Sequence, residues 1–159
     1  MLAEDYKIVP ILASTDTGAG VTLDSFKLLG GGATIVLTCG AVTGNAGIKI
    51  YSGATAAATT SQIDFKVAGT AGAIGAASGD YLSAWVDKPA ASSGMTLTAT
   101  TYTTKTAVIH ISAGAVDTAN NEEWITAVID ASGSTGAIHG TAYIENPRYS
   151  SNRSKTVLA

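Results

Sequence analysis

Few side chains in this chain are equipped for chemistry. His110 and His139 are its only imidazoles, and Cys39 is its only thiol. A histidine works as an acid or base only where the fold brings a nucleophile or carboxylate within hydrogen-bond reach. Serine and threonine are so plentiful here that no particular Ser-His pair stands out by spacing. Neither a Gly-x-Ser-x-Gly elbow nor a Gly-x-x-x-x-Gly-Lys-Ser/Thr phosphate loop occurs. The two histidines and the cysteine are too far apart in sequence for a zinc pattern, which needs close ligand pairs. The run Asp117-Thr-Ala-Asn-Asn-Glu-Glu123 gathers oxygen ligands but lacks the ordered spacing and glycine of a calcium loop, so it is expected to be a capped turn. The chemistry-bearing residues therefore predict a non-enzymatic protein with no catalytic residue, no cofactor and no metal.

Aromatic side chains offer a second kind of chemistry. On a strand Tyr81 and Trp85 share one face, and an exposed pair of rings on a β-sandwich could stack on sugars, although such side chains are more often buried. A carbohydrate-binding module is thus one alternative. Trp124 opens the apolar run Trp124-Ile-Thr-Ala-Val-Ile129 and is expected to anchor a strand end in the core.

The elements that must position these groups are strands. In Ala33 to Cys39, residues Ile35, Leu37 and Cys39 share a face, as do Thr34, Val36 and Thr38, which is the period of a strand and places the thiol in the core. Ile63, Phe65 and Val67 face inward in the same way, with Asp64 and Lys66 outward, and Ile48 and Ile50 alternate with Lys49 and Tyr51. Further strands are expected over Tyr6 to Leu12, Leu23 to Leu28, Tyr81 to Val86, Met95 to Thr100, Thr106 to Ser112, Trp124 to Asp130 and Ala137 to Glu145. Turn-rich segments separate them, at Ser14 to Gly20, Ser52 to Ser61, Gly69 to Gly79 and Asp87 to Gly94. The loops Ser52 to Ser61 and Gly69 to Gly79 are long, and would be either mobile or ordered by a neighbouring molecule. Eight of the 18 glycines fall in the four turn-rich segments. One helical turn is expected near Gly114 to Glu123, with Asn120 and Glu123 spaced as in a capping box. Many short strands without alternating helices predict an all-β, antiparallel β-sandwich, with jelly-roll winding preferred.

Charged residues make up only 13% of 159 residues, about half the usual share. A net charge of -3 implies neither a nucleic-acid surface nor a polyanionic partner. The acidic first residues do not suit a secretory signal, and no apolar stretch is long enough to span a membrane. The lone cysteine excludes an intrachain disulfide. Low charge with abundant Thr, Ser, Ala and Gly suits surfaces that pack against other subunits, since small side chains lose little entropy when ordered.

The segment Asn146 to Ala159 differs from the rest. It carries Arg148, Arg153 and Lys155 without an acidic side chain, after a proline that would end the preceding strand. The expected organisation is a sandwich domain over 1–145 and an extended C-terminal arm over 146–159. Asn152-Arg-Ser154 matches a glycosylation sequon but has meaning only in a secretory pathway.

The segments Ile48-Lys-Ile-Tyr-Ser-Gly-Ala54, Asn120-Asn-Glu-Glu-Trp-Ile-Thr-Ala-Val-Ile129 and Asn146-Pro-Arg-Tyr-Ser-Ser-Asn-Arg-Ser154, taken in order, resemble small tailed-bacteriophage virion proteins of the capsid decoration (cement) type. The resemblance implies a sandwich or jelly-roll subunit, often trimeric, on the outer surface of the virion capsid. Its partners would be the major capsid protein and neighbouring copies of itself, with no nucleic acid and no membrane, and assembly would take place in the host cytoplasm. Arg148, Tyr149, Arg153 and Lys155 are the expected subunit or capsid contacts, tyrosine supplying area and arginine planar hydrogen bonding. A phage tail, fibre or neck component is the other virion role.

Overall fold

The computed structural model describes residues 6–28, 31–131, 136–145 and 156–157. Two antiparallel sheets enclose one apolar core, so the chain is an all-β sandwich. Its strands are β1 (Tyr6–Asp16), β2 (Val21–Thr22), β3 (Ser25–Lys27), β4 (Ala33–Cys39), β5 (Ala46–Gly53), β6 (Ser61–Gln62), β7 (Phe65–Gly69), β8 (Val86–Lys88), β9 (Met95–Leu97), β10 (Thr106–Ile111), β11 (Trp124–Ile129), β12 (Ala137–Glu145) and β13 (Thr156–Val157). The six-stranded sheet runs β1-β12-β4-β10-β7-β8. The seven-stranded sheet runs β13-β3-β11-β5-β6, with β2 also on β11 and β9 also on β5.

Period-two patterning explains the core. In β4, Ala33, Ile35, Leu37 and Cys39 are buried while Thr34, Val36 and Thr38 are half-buried on the opposite face. Ile109 and Ile111 of β10, Ile48 and Ile50 of β5, and Ile125 and Ile129 of β11 fill the same space from both sheets. Large and small side chains alternate across the strands. Gly140 of β12 lies opposite Leu37, which lies opposite Ala107 of β10. A Cβ on Gly140 would press on Leu37, Leu12 and Ile11, so the missing side chain is room those three occupy. In β1, a register shift between Pro10 and Leu12 lets Ile11 and Leu12 both turn inward.

The differences from the expected elements have local causes. The strand expected over Tyr81 to Val86 forms only at Val86–Lys88, preceded by a lone bridge of Leu82 to Thr70. Ser83 intervenes: its N–H donates to the Gly69 carbonyl at 2.7 Å and its hydroxyl accepts from the Gly69 N–H at 3.1 Å. A side chain thereby replaces one rung of the ladder. The strand from Met95 stops at Leu97 because Thr98 caps a short helix, α1 (Ala99–Tyr102), by accepting from the Thr101 N–H. The expected strand Leu23 to Leu28 is shortened to β3, with β2 formed separately ahead of it. Between Gly114 and Glu123 the helical content is two short 3₁₀ turns, at Ala113–Ala115 and Thr118–Asn120. The second is capped by Asp117 rather than by an Asn120–Glu123 box: its carboxylate accepts from the N–H groups of Ala119 and Asn120 and from the Asn120 amide.

Both long loops are tied to their own chain. In the first, the Thr60 N–H donates to the Ser52 carbonyl and the Ala57 N–H to Ser25 Oγ. In the second, the Ala71 N–H donates to the Tyr81 carbonyl and the Ile74 N–H to that of Thr104.

Candidate functional site

The outward face of the six-stranded sheet carries the chemistry. Pairing aligns Asp87 of β8 with Lys66 of β7, Lys66 with His110 of β10, His110 with Thr34 of β4, and Thr34 with Tyr143 of β12. Paired residues point to the same side of a sheet, so these five form one polar rung. Lys66 Nζ lies 3.3 Å from Asp87 Oδ1, an ion pair between two largely exposed side chains. Such pairs contribute little stability because water screens them, and both charges remain open to a third partner.

Beside this rung is a cleft of about 280 Å³ lined by Asp64, Phe65, Lys66, Asp87, Lys88, Pro89, His110 and Ser112. Asp64 is held in place by accepting the Ala90 N–H at 2.6 Å, so its carboxylate has a fixed orientation. Trp85 is not one of the lining residues but adjoins the cleft through His110. Two residues before Asp87, its ring meets the His110 imidazole edge-on, with centroids 6.4 Å apart and planes at 71°. Despite that contact Trp85 remains 47% exposed. Ala68, outward-facing on β7 two residues after Lys66, is nonetheless buried and is not part of the central core. It marks where the outer face is covered locally.

The expected pairing of Tyr81 with Trp85 as alternate residues of one strand does not form, because the strand begins after them. Tyr81 is 60% exposed and does not line the cleft. Neither aromatic is buried. Trp124 is also displaced from its expected position: Ile125, Ala127 and Ile129 take the core face of β11, leaving Trp124 half-buried on the outer face.

The histidines do not meet. His110 and His139 lie on the same outer face, but two strands and four residues apart, which is roughly 16 Å. His139 Nε2 lies 3.3 Å from Thr141 Oγ1 on its own strand. Cys39 is buried, as its phase with Ile35 and Leu37 predicts, and burial pushes its thiol up to about 11. A thiol so placed is protonated at neutral pH and shielded from reagents. Among the described residues no group of three or more His, Cys, Asp or Glu is placed to hold a metal ion. No helix among them is long and apolar enough to cross a membrane.

One buried carboxylate lies elsewhere, at the end of the sandwich: Glu122 Oε2 accepts from Ser52 Oγ at 2.8 Å. The four expected contact residues of the arm, Arg148, Tyr149, Arg153 and Lys155, lie outside the described residues, as does the Asn152 sequon. The chain is next described at β13, where Thr156 pairs with Phe26 and Val157 with Ser25 along the free side of β3.

Sequence reasoning placed Asp64 and Lys66 outward but could not assemble the cleft. Its walls come from residues near 65, 88 and 110, joined only by strand pairing. No known protein family, curated protein or solved structure matches this chain.

Proposed function

We propose that the protein is a non-enzymatic virion structural protein that decorates and stabilises the outer surface of a phage capsid, as a trimer bound to the major capsid protein. The observation that carries this reading is apolar surface left outside a core that is already complete. Ile74, Tyr81, Leu82 and Val86 are all exposed within one stretch of chain, and Ile8 is exposed on β1 at the opposite edge of the same sheet. Val86 pairs with the core residue Val67 and points to the same side, yet it is 51% exposed. Several large apolar side chains left exposed beyond a closed core suit a surface covered in the working state.

The low charge supports the same reading, because assembly surfaces are depleted in Lys and Glu. Repeated weak contacts over a symmetric shell add up without any catalytic group. The sheet edges also fit lateral docking better than strand addition. β1 carries Pro10 and two register shifts, and β8 is short, charged and followed by Pro89. Both devices discourage edge-to-edge pairing. Jelly-roll winding belongs to the proposal too. Its support is a chain that passes from one sheet to the other at β1 to β2, β3 to β4, β4 to β5, β6 to β7, β8 to β9, β9 to β10, β10 to β11, β11 to β12 and β12 to β13.

The test is to mix purified protein with capsids lacking it, sediment them, count bound copies, and measure the free protein's mass by light scattering. Saturation at a capsid-symmetric stoichiometry with a trimer mass is the expected result. Absence of binding to intact shells would overturn the assignment and favour a tail, fibre or neck component.

A further inference from the structure

We propose that the cleft between β7, β8 and β10 is a binding site for a neutral saccharide, with Trp85 as its stacking platform. This goes beyond the capsid reading and does not depend on it. The exposed indole is the first argument. Tryptophan is rarely left this open without a partner, and here its ring meets edge-on the His110 imidazole that lines the cleft. Its open face is available to a flat, C–H-bearing ring.

The second argument is the polar set beside that ring. Asp64 and Asp87 accept, Lys66 and Lys88 donate, and Ser112 and His110 can do either. Two carboxylates and two ammonium groups balance, so the cleft offers no net attraction to an anion or a cation. It offers a dense alternation of acceptors and donors, which is what a ring bearing several hydroxyls satisfies. A phosphate or carboxylate ligand would meet both aspartates, and a basic peptide both lysines.

Shape is the third argument. At about 280 Å³ the cleft lies at the small end of ligand sites, which run from about 300 to 1,000 Å³, and suits a mono- or disaccharide more than a nucleotide. Pro89 gives it apolar wall, and Asp64, anchored on the Ala90 N–H, gives it a preset acceptor.

The experiment uses the full chain on an immobilised panel of maltose, cellobiose, lactose, diacetylchitobiose and sialyllactose, followed by calorimetric titration of any sugar retained. The expected result is binding to at least one neutral sugar, an affinity loss of about tenfold or more in Trp85→Ala, and affinity within about twofold of the parent in Tyr81→Ala. Trp85→Phe keeps an apolar ring and should fall between parent and Trp85→Ala. Asp87→Asn should weaken binding while the melting curve stays in place. Retention of none of the neutral sugars, retention of sialyllactose alone, or undiminished binding by both Trp85→Ala and Asp87→Asn would each overturn the site.

Discussion

Ser25 Oγ and Thr126 Oγ1 lie 2.8 Å apart, both buried, on the outer face of the seven-stranded sheet. Two hydroxyls on an outward face would normally meet water. Here the loop after β5 covers them: the Ala57 N–H donates to Ser25 Oγ at 2.8 Å, and Ala58 packs so closely over Gly53 that any side chain there would collide with it. Ala57 itself takes a left-handed conformation, φ 61°, to make that turn. Ser25 is therefore the point at which β3, β11 and the loop are joined.

Replacing Ser25 with Ala removes the acceptor of the Ala57 N–H and leaves the Thr126 hydroxyl without its partner. A loss of about 1–3 kcal/mol is expected by urea titration, the range for stranding buried polar groups. The loop should also become a site of limited proteolysis between Gly53 and Ser61, and parental resistance there would show that the hydroxyl does not hold it.

Gly94 should not accept a side chain. Its φ of +79° lies in the left-handed region, and a Cβ would run into the Ile48 carbonyl oxygen and the Lys49 side chain. The position fixes the entry into β9, whose Met95 pairs with Ile48. Gly94→Ala combines backbone strain with a clash against main chain, so it is expected to cost at least about 1–3 kcal/mol. Gly114→Ala, where a Cβ would meet nothing, is the matched control and should leave the melting temperature nearly unchanged.

The Cys39 thiol makes stability fall at alkaline pH. Burial raises its pKa from the ordinary 9.0 to about 11, so between these values the unfolded chain has released a proton that the folded chain still holds. Because the folded state binds more protons across this window, stability decreases as pH rises from about 9 to about 11. Tyr102, raised chiefly by burial and then by the Cys39 thiolate, acts in the same direction. Cys39→Ala should shallow the pH dependence of the urea midpoint over that window, at the cost of a small cavity. In the parent, a thiol reagent at pH 8 should react only after unfolding, and prompt modification of the folded protein would contradict the burial.

The legible parts of this fold were those decided by one strand's own alternation. Ala33 to Cys39 and Ala137 to Glu145 were predicted to their ends, because every second residue is apolar and a one-residue slip would bury Thr or His. Residues 81–85 show the opposite case. Their alternation is as regular as any, yet Ser83 engages both backbone groups of Gly69, and nothing in the local pattern announces a partner so far back in sequence. Trp124 misled because aromatic size suggests burial, while its neighbours Ile125, Ala127 and Ile129 already fix which face of β11 is inward. The cleft was illegible for a different reason. Lys66, Asp87 and His110 become neighbours only through pairing of β7 with β8 and with β10, and register between distant strands is not written in either strand alone.

The C-terminal arm combines two effects that one deletion would confound. β13 pairs with β3, a short strand held on its other side by β11. Removing 146–159 therefore uncovers the free side of β3 and should lower stability by about 1–2 kcal/mol, the scale of a few backbone hydrogen bonds. The core residue Phe26 keeps its place through pairing with Ile125, so the sandwich should still unfold in one cooperative step. A second variant, with Arg148, Tyr149, Arg153 and Lys155 all changed to alanine, retains the residues of β13 and isolates the proposed contacts. Lost capsid occupancy in both variants, with near-parental stability in the second, is the expected pattern. Occupancy lost only in the deletion would move the effect from the arm's side chains to the uncovered edge of β3, and full occupancy in both would remove the arm from the interface.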